Sequence, residues 1–226
     1  MIEATNPQAV LFDLDGTLVD TAPDLVATLM HLRTLHGLEP LDEQAFRSHA
    51  SRGALGLLEV GFADQAGFDP GSLRQQFLDH YAANLWVRSR PFEGIEALLC
   101  SLKAEGVALA VVTNKIASLA LPVIESAGWQ THFRVVVAGD TTANPKPSAD
   151  PVIEACRRLG VDPASALMVG DDRRDVLAGR SAGTATLVAG WGYLPVDEDP
   201  GKWGADGVIS TPSQLQQYLP MKRRID

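Results

Sequence analysis

The residues with the most chemical potential are Asp13 and Asp15, two positions apart in Phe12-Asp13-Leu14-Asp15-Gly16-Thr17-Leu18-Val19-Asp20. In a continuing strand both side chains would share one face, whereas a turn at Gly16 can aim one carboxylate at a substrate and the other at its leaving group. Asp and Gly are common in turns for structural reasons, so the pair needs company before it means catalysis. Three further segments supply it. Thr113-Asn114-Lys115 offers a hydroxyl and backbone N–H groups to phosphate oxygens, Lys146 in Asn144-Pro145-Lys146-Pro147 offers a fixed positive charge, and Gly170-Asp171-Asp172-Arg173-Arg174-Asp175 adds carboxylates. Phosphoryl transfer builds negative charge on the transferred and leaving oxygens, so its catalysis is mostly positioning and electrostatic stabilisation. These residue types serve that one task.

Such groups lie as far apart as Asp13 and Asp175, so a fold must gather them. Short apolar runs at 9–12, 107–112, 135–138 and 166–169 read as buried parallel strands, with helix-like segments between the last three. That alternation predicts an α/β doubly wound sheet, in which ligands sit beyond the carboxyl ends of the strands. Asp13, Thr113 and Asp171 each follow such a run and therefore converge on one crevice. Residues 21–88 break the alternation: Leu25, Leu29, Leu32 and Leu35 recur at helical spacing, as do Leu73, Phe77, Tyr81 and Leu85. Thr21 and Asp24, with Pro23 between them, resemble a helix start. The expectation is a core of residues 1–20 and 89–226 with a smaller, all-helical cap of residues 21–88 inserted over the crevice. Linkers fall near Asp20 and at 89–94. Residues 184–189 and 207–210 are candidate edge strands flanking a loop at 190–205 rich in Gly, Pro and Trp.

With 226 residues, 46% of them hydrophobic and 21% charged, the chain can bury a sizeable core. Its 19 basic against 28 acidic residues give a formal charge of −9, which disfavours nucleic acid and anionic lipid as partners. A small anionic substrate stays possible where a metal and a few fixed donors reverse the local potential. Cys100 and Cys156 both fall in amphipathic helical stretches and read as buried structural thiols. The first eight residues lack the pattern of a secretory signal, and no apolar run is long enough to span a bilayer, so cytoplasmic residence is expected. The basic cluster at 221–226 reads as a solvated tail.

DLDGTLVD, VVTNK, NPKPSADP and VGDDRRD resemble the four ordered motifs of the haloacid dehalogenase superfamily. The insertion after the first motif is similar to the cap of the phosphoglycolate phosphatase-like branch. The resemblance implies a Rossmann-like core and a magnesium-dependent phosphatase that passes through an aspartyl phosphate. It makes Asp13 the nucleophile and Asp15 the general acid and base. Thr113 and Lys146 would hold the phosphoryl group, with Asn114 in the same loop. Asp171 would complete the Mg²⁺ site with Asp13 and the backbone carbonyl of Asp15, and Asp175 would support the metal or Lys146. Relatives often carry Ser or Thr at Asp172, where support of the metal and a merely solvated acid are both open. Asp15 argues against a dehalogenase, because relatives that displace halide need no acid for an alkoxide and usually lack it.

Within the cap, the segment from His49 to Ala54 is similar to segments that face the active site in related phosphatases. Arg52 either clamps a substrate carboxylate through two parallel hydrogen bonds or is an exposed loop arginine. A lone His49 is more often surface or core than catalytic. Two substrates compete: phosphoglycolate, by general resemblance, and N-acetylmuramic acid 6-phosphate, because Gly192-Tyr193-Leu194-Pro195 followed by Trp203-Gly204-Ala205-Asp206 is similar to proteobacterial phosphatases that act on it. Both carry a carboxylate. A phosphorylation-controlled signalling domain also uses an aspartyl phosphate, but such receivers lack the inserted cap. A catalytically silent scaffold conflicts with the complete motifs, and no Walker loop is present. Oligomeric state is not legible in the sequence.

Overall fold

The computed structural model describes residues 7–219; the basic cluster at 221–226 lies outside them. Its centre is a six-stranded sheet in the order β5-β4-β1-β6-β7-β8, parallel at every pairing. The strands are β1 Ala9–Phe12, β4 Ala108–Val112, β5 Val135–Val137, β6 Ala166–Gly170, β7 Ala185–Ala189 and β8 Gly207–Ile209. The four apolar runs are therefore strands of one sheet, and β1 lies between β4 and β6 with all four residues fully buried. Parallel strands covered on both faces need such continuous apolar sequence. Only one of the two C-terminal strands is an edge, because β8 pairs outside β7 and leaves β7 interior.

Alternation along the strands divides the core into two faces. Val10, Phe12, Leu109, Val111, Leu167 and Val169 pack with α4 Ile95–Ala104 and α5 Ala117–Ser126. Ala9, Leu11, Ala110, Val112 and Met168 pack with α6 Asp150–Leu159 and α7 Arg173–Ala182. This is an α/β sandwich of three layers. Cys156 sits in the second face, and burial pushes its thiol up to about 11. Cys100 departs from expectation: it is exposed, on the solvent side of α4.

Between β2 Val19–Asp20 and β3 Arg90–Pro91, an antiparallel pair, the chain is helical. Here lie α1 Ala22–Leu35, a 3₁₀ segment Glu43–Arg52, α2 Gly53–Gly61 and α3 Pro70–Ala83. Leu25, Leu29, Leu32, Leu73, Phe77 and Tyr81 form the heart of their common cluster, whereas Leu35 is exposed and Leu85 lies beyond α3. The sides of this insertion are fastened by buried polar contacts. Asp24 accepts hydrogen bonds from the backbone of Arg88 and Ser89 at 2.8 and 2.9 Å and from the Ser89 hydroxyl at 2.6 Å. Arg33, buried, donates to both oxygens of Asp64 at 3.0 and 3.1 Å and to the Gly61 carbonyl. Asp24 thus closes the base of the insertion instead of capping α1, and Thr21 makes no side-chain cap either. Among the described residues no helix is long and apolar enough to cross a membrane.

Candidate active site

The carboxyl ends of β1, β4 and β6 bring the sequence-predicted residues together. Asp13 donates its backbone N–H to Val169 at 2.9 Å and so leaves the sheet beside the end of β6. A tight loop follows, closed by Gly16 N–H on the Val19 carbonyl at 2.9 Å. Gly16 has φ of 83°, and a Cβ there would lie 2.1 Å from an Asp171 oxygen. No side chain fits, for reasons both of conformation and of space.

Lys146 is the hub. Its ammonium lies 2.9 Å from Asp13 Oδ1 and 2.6 Å from Asp175 Oδ1, and donates to the Val112 carbonyl at 2.7 Å. Burial alone would discharge it, but the Asp13 and Asp175 carboxylates overcome that and hold its pKa above the ordinary lysine range. Asn114 secures the same residue from behind, accepting from the Lys146 backbone N–H at 2.9 Å and donating to its carbonyl at 2.8 Å. The Asn114 side chain is therefore committed to positioning Lys146, and Thr113, Asn114 and Lys115 all line the cavity. Thr113 is buried, its hydroxyl oxygen accepting from Lys115 N–H at 3.2 Å.

Asp13, Asp171 and Asp175 each offer a carboxylate oxygen within 4.8 Å of the others. Asp171 accepts from the Thr17 hydroxyl at 2.9 Å and from Tyr193 N–H at 2.8 Å. Burial, then the charges of Asp13 and Asp175, push its carboxyl well above the usual range. Burial likewise raises Asp175 to about 7, against the pull of Lys146. A Lys146 kept charged and an Asp175 driven toward neutrality pull one ion pair in opposite directions. The 2.6 Å contact with a buried ammonium favours an ionised Asp175, and the upward push comes first from burial and then from the charges of Asp13 and Asp172. An all-oxygen, multiply anionic cluster of this kind suits a hard divalent cation such as Mg²⁺.

Asp15 faces away from that cluster. Its carboxylate accepts from the Thr21 hydroxyl at 2.6 Å and from Lys115 Nζ at 3.0 and 3.1 Å, and the same Nζ lies 3.0 Å from the Tyr81 hydroxyl oxygen. Lys115 stays charged although buried because Asp15 outweighs the desolvation, and burial pushes Tyr81 up to about 12. Lys115, Tyr81 and Thr21 are the functional neighbours that sequence reasoning missed. Lys115 was visible beside Asn114, but its partner is 100 positions away; Tyr81 looked like one more member of an apolar stripe.

The Asp172 side chain is taken up by the start of α7 and by Arg174. Its side chain caps α7 by accepting from Arg174 N–H at 2.8 Å, Asp175 returns the bond to Asp172 N–H at 3.1 Å, and the Arg174 guanidinium grips both Asp172 oxygens at 2.8 Å. Burial opposes its charge, yet Arg174 holds its carboxyl below the ordinary value. Arg174 also donates to the Ser51 carbonyl at 2.6 Å, joining α7 to the insertion. Arg52 does line the cavity, but its guanidinium pairs with Glu59 at 2.6 Å. His49 is absent from the lining. The cavity itself, about 230 Å³, lies between the strand tips, α3 and the junction of the 3₁₀ segment with α2 at residues 50–55.

An open parallel sheet with paired aspartates on its first strand tip, a buried lysine and an acidic cluster on neighbouring tips defines a hydrolase of phosphoryl or related groups. Residues 10–189 match the family model for haloacid dehalogenase-like hydrolases. N-acetylmuramic acid 6-phosphate phosphatase of Pseudomonas aeruginosa is 42% identical over 215 residues, covering 94% of each chain. Phosphoglycolate phosphatase of Xanthomonas campestris pv. campestris is 40% identical over 209 residues, 92% of this chain and 95% of the other. A crystal structure of a predicted phosphoglycolate phosphatase from Haemophilus somnus superposes with a TM-score of 0.84 at 28% identity, over 93% and 96% of the two chains. The chain belongs to the haloacid dehalogenase-like hydrolases.

Proposed function

We propose that this enzyme hydrolyses a small phosphorylated metabolite through a phosphoenzyme formed on Asp13, working in the cytoplasm with Mg²⁺. The chain is a phosphoric monoester hydrolase. The observation that carries the mechanism is the placement of Lys146, 2.9 Å from the proposed nucleophile and 2.6 Å from a second carboxylate of the acidic cluster. The residues fit the cation: Asp13 and Asp171, with the Asp15 backbone carbonyl, would hold it, and Asp175 stands within the same cluster. When bound, Mg²⁺ offsets the repulsion between an anionic nucleophile and an anionic ester and neutralises charge on the transferring group.

In the first half-reaction a carboxylate oxygen of Asp13 bonds to phosphorus while the ester P–O bond breaks, and Asp15 gives its proton to the departing alkoxide. Lys146 and the Thr113 hydroxyl neutralise and orient the phosphoryl oxygens. In the second, Asp15 takes a proton from water, the water oxygen bonds to phosphorus, and the P–O bond to Asp13 breaks to release inorganic phosphate. Lys115 and Thr21 hold the Asp15 carboxylate aside in the structure, so its turn toward the leaving oxygen is a step of the cycle. Residues 21–88 act as the cap over this chemistry and residues 1–20 with 89–226 as its core, with the β2–β3 pair as the joint.

Phosphoglycolate is the first substrate proposed. N-acetylmuramic acid 6-phosphate is the second, supported by the 42% identity to a phosphatase of that name and by the Gly192–Pro195 stretch, whose Tyr193 N–H reaches Asp171. Comparing kcat/KM on the two, with β-glucose 1-phosphate as a probe for mutase activity, decides between them. Failure to release phosphate from all three would contradict the phosphatase reading.

A further inference from the structure

We propose that Arg74 and Arg174 form a second anion site in the same cavity, receiving a carboxylate carried by the phosphorylated substrate. This rests on the phosphatase reading above and adds the group by which substrates are selected. The chain is acidic overall, with a formal charge of −9, yet the cavity is lined by Arg52, Arg74, Arg174, Lys115 and Lys146. Four of these cations face a carboxylate: Lys146 meets Asp13 and Asp175, Lys115 meets Asp15, Arg52 meets Glu59 and Arg174 meets Asp172. Arg74 has no hydrogen-bond or ion-pair partner among the described residues.

Arg174 is held but not exhausted. Its Nε and Nη2 lie on Asp172 and its Nη2 also on the Ser51 carbonyl, while Nη1 has no partner among the described residues. Asp172 thus fixes the plane of the guanidinium and offsets the cost of placing it there, leaving one nitrogen to donate. A planar, always-charged donor held in one orientation suits a carboxylate, and its ordering cost is met before the ligand arrives. Arg74 comes from α3 in the helical insertion and Arg174 from α7 beside the sheet, and both line the cavity. A carboxylate bound by both favours the arrangement in which the insertion covers the strand tips, by as much as it binds that arrangement better. Arg52, which also lines the cavity, pairs with Glu59 at 2.6 Å.

The test pairs a carboxylated substrate with a relative that lacks the carboxylate: 2-phosphoglycolate against 2-hydroxyethyl phosphate, and N-acetylmuramic acid 6-phosphate against N-acetylglucosamine 6-phosphate, which lacks the whole lactyl group. The quantity read is the ratio of kcat/KM within the pair that the wild type hydrolyses. Measuring both members on one preparation cancels any loss of folded protein in a variant. In Arg74→Gln and in Arg174→Gln the ratio should fall by about 10- to 100-fold, mostly through KM on the carboxylated member, the scale of a lost charge-assisted hydrogen bond. Arg174→Lys, which keeps the charge but loses the fork, should fall less than Arg174→Gln. A wild type with no preference for the carboxylated member, or an unchanged ratio in both glutamine variants, overturns the second anion site while leaving the phosphatase intact. A wild type that releases phosphate from none of the four overturns the phosphatase reading and this site with it.

Discussion

At the scale of single residues the site is a set of matched charges in which few groups act alone. Lys115 and Asp15 illustrate this: side chains 6% and 17% exposed, they meet at 3.0 Å under Tyr81. Removing one partner of a pair this dry leaves an uncompensated charge, at about 3–5 kcal/mol. Lys115→Met should therefore lower stability by about that much in urea unfolding. The double variant Lys115→Met with Asp15→Asn should recover a good part of the loss, whereas additive losses would mean that the pair is not coupled. The Asp13–Asp15 loop, Thr113 and Asp171 were legible in sequence because each follows a strand run, and Lys146 because its segment resembles a family motif. What Asp15 leans on was not, since Lys115 and Tyr81 reach it from two other segments and nothing local marks the meeting. Asp172 was ambiguous for a related reason: an aspartate before a helix reads as ligand, cap or solvated acid until its oxygens are seen on Arg174.

At the scale of elements, strands announced themselves as buried runs, and helices by their spacing, but the joints between them did not. The start of α1 shows why. Thr21 and Asp24 have the types of a cap, yet tertiary contacts claim both, Thr21 for Asp15 and Asp24 for Ser89. Tyr193 is a second joint: its N–H holds Asp171, and its hydroxyl accepts from Ala22 N–H at 2.8 Å and donates to Asp20 at 2.9 Å, with Arg47 over its ring. The loop carrying it can come so close only because residue 192 is glycine; a Cβ there would lie 2.2 Å from Asp171. Within the insertion, His80 on α3 stacks on His31 of α1 at 3.9 Å and lies 3.1 Å from the Thr28 hydroxyl. Burial, then His31, lowers its pKa, so the unfolded chain takes up the proton first. Above the unfolded value the group contributes nothing. As pH falls through about 6.5 toward the lower folded value, stability is lost. The urea midpoint should drop between pH 7 and pH 5, and His80→Gln should remove part of that drop. An identical pH slope in the variant would show that His80 does not contribute.

At the scale of the whole molecule, a parallel sheet places three strand tips side by side, a helical insertion roofs them, and the carboxylates of Asp13, Asp171 and Asp175 gather there around one lysine. That surplus makes metal binding a stability matter as well as a catalytic one. Stripping divalent ions with a chelator should abolish turnover, and adding Mg²⁺ back should raise the melting temperature. The stabilisation should approach ~2.7 kcal/mol at a hundredfold excess over the dissociation constant. Asp171→Asn should lose most of that rise, and a wild type whose melting is indifferent to Mg²⁺ would contradict the cation site. The most direct test is to mix enzyme, Mg²⁺ and a hydrolysed phosphoester, quench in acid within the first turnover, and locate phosphate by peptide mass. An acyl-phosphate mechanism predicts one phosphoryl group on the peptide containing Asp13, absent in Asp13→Asn together with all turnover. Phosphate on another residue, or brisk hydrolysis by Asp13→Asn, would contradict it.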